Sequence, residues 1–263
     1  MTSGVPAADT PVPDQVAQLA GSDPVRAVWA NELGGLVFEI GTGTRRRFAK
    51  WAPRDSGIRF APEIARLRWA IAYTPVPEVI DHGLGDDGEW LLTRALPGRS
   101  AVDPYWLDDP ATAATAIGVG LRAMHDRLPV DDCPFDWTAE TRVATFERSG
   151  RHDPTTWSHE FRQLDLETVR ARLADPPPVD LLVVCHGDAC SPNTLLDDEG
   201  QWVGHVDLGA LGQADRWADL AVATWATTWN YGPGWEQTLL DAYGVDADPV
   251  RTDYYRLLWD VSP

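Results

Sequence analysis

The chain has 263 residues, 44% of them hydrophobic and 24% charged, enough to bury a full core and form two lobes, which excludes a disulfide-stapled miniprotein and a disordered tail. Acidic residues number 40 against 22 basic ones, a formal net charge of −18, so the surface repels nucleic-acid backbones and anionic membranes and suits a cationic small molecule. Cys133, Cys185 and Cys190 show no disulfide pattern, no apolar run approaches the roughly 20 residues of a membrane span, and residues 1–6 carry no leader-like charge or hydrophobicity, so a cytoplasmic location is expected.

Residues 1–24 are rich in Pro, Ala and Asp and are expected to be ordered only in part. Strands are predicted over 25–30 and 36–40, joined by the hairpin-like turn Asn31-Glu32-Leu33-Gly34-Gly35, and a third over 47–51, ended by Pro53 and Asp55. Pro62 suits a first helical turn, and Glu63, Ile64, Leu67 and Ile71 recur at helical spacing; Pro75 and Pro77 stop that helix. Strands over 78–81 and 89–93 flank the Gly-Asp-Asp-Gly turn at 85–88. Leu96-Pro97-Gly98 reads as a linker. Beyond it come helices over 111–128 and 161–173, an apolar strand over 181–185, and closing helices over 215–229, 235–243 and 249–260. The expected fold class is α+β and bilobal. An N-terminal lobe over 25–95 has an antiparallel sheet and one helix; a larger, mainly helical lobe spans 96–263, with a crevice between them.

Chemistry concentrates in His186-Gly187-Asp188-Ala189-Cys190-Ser191-Pro192-Asn193 and Gly204-His205-Val206-Asp207-Leu208-Gly209. Asp188 directly follows the apolar strand. A hairpin turning at Asp198-Glu199-Gly200 brings its two open ends, Asn193 and Asp207, beside Asp188. Two carboxylates and an amide oxygen suit a hard cation such as Mg²⁺, which would neutralise polyphosphate charge and leave Asp188 to orient a hydroxyl or accept its proton.

This compound motif resembles the catalytic core of the aminoglycoside phosphotransferase family, a small-molecule branch of the protein-kinase fold, with H-G-D-x-x-x-x-N and then a hydrophobic residue followed by D-x-G. The likeness extends from about Asn31 onward and is closest to the 3'-phosphotransferases. It implies that Asp188 is the catalytic base, that Asn193 and Asp207 bind Mg²⁺, and that His186 and Asp219 hold the catalytic loop. Lys50 is the only lysine among the 22 basic residues, a compact ammonium suited to nucleotide phosphates. By the resemblance it pairs with Glu63, the one glutamate of the following helix. Residues 93–96, including Thr93 and Ala95, would read the adenine of ATP (or GTP) through the backbone. Leu33 stands where family members often carry a small hydroxyl residue, so backbone N–H groups of that turn would serve the phosphates.

The segment after Gly209 is too short to dock a polypeptide, so the acceptor is expected to be a small molecule; the resemblance implies a cationic aminoglycoside antibiotic, phosphorylated at a 3'-hydroxyl to give resistance. Family acceptor contacts come from the C-terminal helices. Here these carry Asp241, Asp246, Asp248, Asp253 and Asp260 among Trp225, Trp229, Trp235, Tyr254, Tyr255 and Trp259; Trp229 and Asp260 are the candidates. Ala210 replaces an arginine that 3'-phosphotransferases often have after D-x-G, and no acid lies near Thr228 and Trp229. Those departures keep open another acceptor, such as a nucleoside antibiotic or metabolite alcohol. The remaining alternatives are an inactive kinase-like binding module and a zinc site of Cys185, His186, Cys190 and His205.

Overall fold

A two-residue period of apolar side chains sets the first sheet. Phe38 and Ile40 are fully buried, and Glu39 between them stays outside the core. In the computed structural model, which describes residues 4–150 and 152–262, the chain divides into two compact units, Met1–Leu96 and Pro97–Pro263. The first holds β1 (Val25–Ala30), β2 (Leu36–Ile40), β3 (Arg47–Pro53), β4 (Val79–Leu84) and β5 (Gly88–Arg94), all antiparallel in the order β1-β2-β3-β5-β4. Within the segment expected to be partly ordered, α1 (Asp14–Ala20) lays Val16 and Ala20 against Phe38, Ile40, Ala49 and Trp90. Burial of each large side chain in this cluster is worth roughly 1.5–3 kcal/mol. The helix α2 (Ala61–Ala70) has Pro62 in its first turn and buries Glu63, Ile64 and Leu67; it ends before Ile71, which is exposed.

The second unit is mainly helical: α3 (Pro104–Leu107), α4 (Pro110–Arg127), α5 (Ala139–Ser149), α6 (Leu166–Leu173), α7 (Trp217–Tyr231), α8 (Glu236–Tyr243) and α9 (Pro249–Val261). Short strands complete it. β6 (Arg99–Ser100), β8 (Thr194–Leu196) and β9 (Trp202–His205) form one sheet, and β7 (Leu182–Cys185) pairs with β10 (Gly212–Asp215). Aspartates begin the helices: Asp109 caps α4, Asp165 caps α6 and Asp248 caps α9, each accepting an otherwise orphaned backbone N–H. From Trp217 to Thr227 every residue of α7 is buried, so this helix is the core around which the others pack. No described helix is long and apolar enough to cross a membrane.

Several boundaries differ from the sequence expectation for identifiable reasons. The helix expected over 161–173 begins at Leu166, because Asp165 accepts Thr168 N and caps it there. The helix expected from Asp215 begins at Trp217. Asp215 instead pairs with Leu182 at the end of β10, and its carboxylate accepts Trp217 N at 3.0 Å. α5 escaped the periodicity because Phe146 is its one buried residue, too little to mark an apolar stripe.

α4 and α8 approach closely at Gly118. A Cβ there would lie 2.3 Å from the Leu239 carbonyl oxygen. Gly118→Ala should therefore cost about 1–3 kcal/mol in urea unfolding, while Val119→Ala on the exposed side stays within about 0.5 kcal/mol. Equal midpoints for the two variants would refute that helix contact.

Candidate active site

β7 is a run of apolar residues with β-branched Val183 and Val184 at its centre, and its buried end delivers His186-Gly187-Asp188 to a fixed point. Gly187 has φ 82°, and a Cβ there would sit 2.3 Å from the Ala210 carbonyl oxygen and 2.7 Å from the Trp137 ring. Only glycine makes this turn. Asp219 on α7 is fully buried and holds the loop by its backbone: Oδ2 accepts His186 N at 2.6 Å and Oδ1 accepts Gly187 N at 2.9 Å. His125 Nε2 on α4 donates to the same Oδ2 at 3.0 Å, and Tyr243 Oη on α8 lies 2.9 Å from His125 Nδ1. Burial alone would raise the Asp219 carboxyl. The bond from His125, the charges of His125 and His186 and the Gly187 amide outweigh it and hold the group below the usual carboxylate range.

Asp188 itself is half-buried. Burial pushes its carboxyl above the usual range, with His186 opposing and the nearby Asp207 charge adding to the rise. A more basic carboxylate is a better proton acceptor. Asn193 Nδ2 donates to the Asp188 carbonyl at 2.9 Å and to Oδ2 at 3.3 Å, and Cys190 Sγ donates to Oδ1 at 3.1 Å. The hairpin closes as its sequence pattern predicts. Thr194 pairs with His205, and Val206 N donates to the Asn193 carbonyl at 2.9 Å, which places Asp207 at Asn193's end of the loop. His186 Nε2 donates to the Val206 carbonyl at 2.9 Å, tying the two strands of the motif together. Asp207 has φ 65°, the one non-glycine residue with positive φ among those described, a strained conformation of the kind that collects at functional sites. Asp188, Asn193, Asp207, His186 and Asp219 thus gather in one unit. Asn193's amide nitrogen is spent on Asp188, and its side-chain oxygen and the Asp207 carboxylate are hard oxygen donors of the kind that could hold Mg²⁺.

In the other unit, Lys50 on β3 stands opposite Val37 and Leu91, and its Nζ meets Glu63 Oε1 at 2.7 Å and Oε2 at 2.8 Å. One expectation for this unit needs correction, the turn at 31–35. Within 93–96, whose backbone is expected to read a nucleotide base, the Ala95 amide donates to the Arg46 carbonyl at 3.1 Å, and Arg94 N donates to Glu78 O. Thr93 is buried, with its hydroxyl towards the Phe48 carbonyl. The turn at 31–35 also spends its N–H groups internally: Asn31 Oδ1 accepts Leu33 N at 3.0 Å and Gly35 N at 2.8 Å. An asparagine is well suited to closing such a turn with its own side chain, which consumes the donors expected to face phosphate.

The acceptor candidates divide by role. Trp229 is 49% exposed and lies 4.6 Å from Trp225 and 6.0 Å from Trp259 between ring centroids. Asp260 accepts Ser158 N at 2.9 Å, and its burial raises its carboxyl. Asp248 and Asp253 are occupied, the first as the α9 cap and the second by Arg172, while Tyr254 and Tyr255 are core. Glu160, which the sequence reading passed over, accepts Trp225 Nε1 at 2.8 Å and brings an exposed acid to the tryptophan cluster. Arg142 was also missed. Its guanidinium lies 4.9 Å from the Trp137 ring, its Nε donates to Ser262 Oγ at 3.1 Å, and a further N–H donates to the Ser262 carbonyl. Burial lowers its pKa to about 10, opposed by the Asp188 charge. No periodicity marks Arg142; His125 was legible as a polar residue on the face of α4 that carries Leu121 and Met124.

The zinc alternative does not survive. Cys185 Sγ donates to the Asp215 carbonyl, Cys190 Sγ faces Asp188, and both His186 ring nitrogens have partners. His125, Cys185 and Asp219 do lie together, but backbone amides occupy both Asp219 oxygens and burial keeps the Cys185 thiol protonated.

Comparison with known proteins follows the same motif. The phosphotransferase enzyme family matches residues 30–255. An aminoglycoside 3'-phosphotransferase of Streptomyces fradiae is 32% identical over 256 residues, covering 88% of this chain and 92% of its own. A streptomycin 3''-kinase of Streptomyces griseus is 35% identical over 247 residues, covering 87% and 89%. Among solved structures, an aminoglycoside phosphotransferase of Streptomyces rimosus in complex with ADP and streptomycin superimposes with a TM-score of 0.67 at 29% identity, covering 86% of this chain and 90% of that one.

Two measurements check the loop anchor. His125→Leu leaves a buried carboxylate short of a donor and should cost about 3 kcal/mol or more in chemical unfolding. Because the Asp219 pKa is depressed on folding, its contribution is fully present above the unfolded value near 4 and is lost as pH falls through the lower folded value. Unfolding midpoints taken from pH 6 down to pH 3 should fall less steeply in Asp219→Asn than in the wild type.

Proposed function

This chain belongs to the phosphotransferase enzyme family, and from that premise we propose that it moves the γ-phosphoryl group of ATP onto a hydroxyl of an aminoglycoside, giving resistance. The observation that carries the reading is Asp188, held at the end of β7 with Asn193 on its carboxylate and the Asp207 charge helping to raise its pKa. Asp188 orients the acceptor hydroxyl and takes its proton as the new O–P bond forms and the bond to the departing ADP oxygen breaks. Asn193 and Asp207 hold Mg²⁺, which when bound offsets the phosphate charge. Lys50, steadied by Glu63, binds nucleotide phosphate. Residues 25–95 act as the nucleotide-binding lobe and 96–263 as the catalytic and acceptor-binding lobe. Positioning and charge neutralisation supply most of the acceleration. The relative crystallised with ADP and streptomycin supports both nucleotide and acceptor.

The acceptor is a polycation drawn to an acidic chain. Trp229, with Asp260 and Glu160 near its cluster, offers a ring face and carboxylates for an aminated sugar. A 3'-hydroxyl is the first reading, supported by the Streptomyces fradiae relative. A second reading, a streptomycin-type 3''-hydroxyl, is favoured by Ala210 in place of the expected arginine and by the Streptomyces griseus relative.

Asp188→Asn should lower turnover by about 10² to 10⁴-fold while ADP affinity, read by calorimetry, stays within about threefold. Unchanged turnover would remove Asp188 from its role. Incubation with ATP and either kanamycin or streptomycin, followed by NMR mapping of the phosphate, decides between the two positions; failure to phosphorylate either compound would overturn the aminoglycoside reading.

A further inference from the structure

The chain carries a large excess of acid, and within the first unit its arginines are mostly paired. Arg26 and Arg46 meet Glu39, Arg45 and Arg47 meet Asp23, and Arg94 meets Glu78. Three arginines break this pattern, and all three line one cavity of about 590 Å³ beside α2, β4 and β5. Arg54 donates to the carbonyls of Gly85 and Asp86, Arg59 to the Ile58 carbonyl, and Arg68 contacts His82 Nε2 at 3.0 Å. None of the three meets a carboxylate among the described residues. Backbone carbonyls fix the direction of a guanidinium without neutralising it, so the charge stays available to a ligand.

The cavity floor has the opposite character. Ile64 and Trp90 are buried beneath it, and Leu84 and Ala61 add apolar surface at its sides. Gly83 presses on the Trp90 ring so closely that a Cβ would lie 2.9 Å from it, which keeps that wall flat and free of side chain. The one acid in the lining, Glu89, accepts Phe60 N at 2.7 Å and keeps its charge, so three guanidiniums against one carboxylate leave the lining net positive. An apolar floor under three unpaired guanidiniums is the lining of a site for an anion with a hydrophobic body, and the volume matches small-molecule pockets.

We propose that this cavity binds a small organic oxyanion, a phosphate monoester or carboxylate carried on an apolar ring-sized body. The headgroup takes N–H bonds from Arg54, Arg59 and Arg68, and the body covers Ile64 and Trp90. This goes beyond the phosphotransferase reading and uses none of its residues. It has a mechanical consequence as well. α2 provides Ile64 and Arg68 to the cavity and Glu63 to Lys50, so an occupant joining α2 to β4 and β5 steadies the helix that positions that lysine.

The test is calorimetric titration of the full chain with phenyl phosphate and benzoate, with inorganic phosphate and phenol as the head and body alone. Thermal melting runs in parallel. Phenyl phosphate should bind saturably and raise the melting temperature, with at least one oxyanion-bearing probe binding more tightly than phosphate or phenol. Arg59→Ala and Arg68→Ala, both on exposed side chains, should each weaken binding about tenfold with unliganded melting unchanged. Lys50→Met should leave it intact, which separates this site from a nucleotide site. No saturable binding by either organic anion, or binding that Lys50→Met abolishes and the arginine variants leave alone, overturns the proposal.

Discussion

A single buried carboxylate organises the second unit. Asp219 sits on the most deeply buried helix, and its two oxygens take the amides of His186 and Gly187 together with His125 Nε2. A charge in that setting is tolerable only because every lone pair facing the loop is used. The consequence is geometric. The peptide leading into Asp188 has no freedom left, and Gly187, wedged between Ala210 and Trp137, turns the chain so that the next side chain emerges from the core. The polar chain from Tyr243 through His125 to Asp219 extends this constraint across α8, α4 and α7. The Asp188 carboxylate is thereby placed by buried groups on three helices.

Charge is distributed with a purpose that the net value hides. Around Asp188 the local balance includes His186 and Arg142 as well as Asp207, so burial and a neighbouring acid raise the carboxyl while histidine restrains it. In the first unit the ammonium of Lys50 is clasped by both Glu63 oxygens, whereas Arg54, Arg59 and Arg68 line a cavity and meet no carboxylate among the described residues. With Glu89 the only acid in that lining, the cavity carries an excess of positive charge in an acidic protein. An anionic occupant relieves it, and this is what sets the cavity apart from the paired arginines elsewhere on the sheet.

The departures from the family pattern also have a structural side. The turn at 31–35 closes on Asn31, so its amides serve the turn. Among the acids of this region, Asp248 and Asp253 are consumed by a cap and an ion pair, while Glu160 joins Trp225 from a segment outside the expected helices. Exposed Trp229 packs on buried Trp225 and on Trp259 in one cluster of rings.

The sequence by itself determined the parts whose chemistry is local. Strand alternation around Phe38, proline at the start of α2, the lone lysine, and the H-G-D-x-x-x-x-N motif with its following hairpin were all legible, because turn chemistry and two- or four-residue periods act over a few neighbours. Tertiary structure alone decided which donors were already spent and which charges were left over. β10 is a strand only because β7 lies beside it, α5 follows no apolar stripe, and Arg142 matters through Trp137 and Ser262, more than a hundred residues from the latter in sequence. Hydrogen-bond partners and ion pairs form across such separations once the core has brought the chain together, and no local pattern of residue types records them.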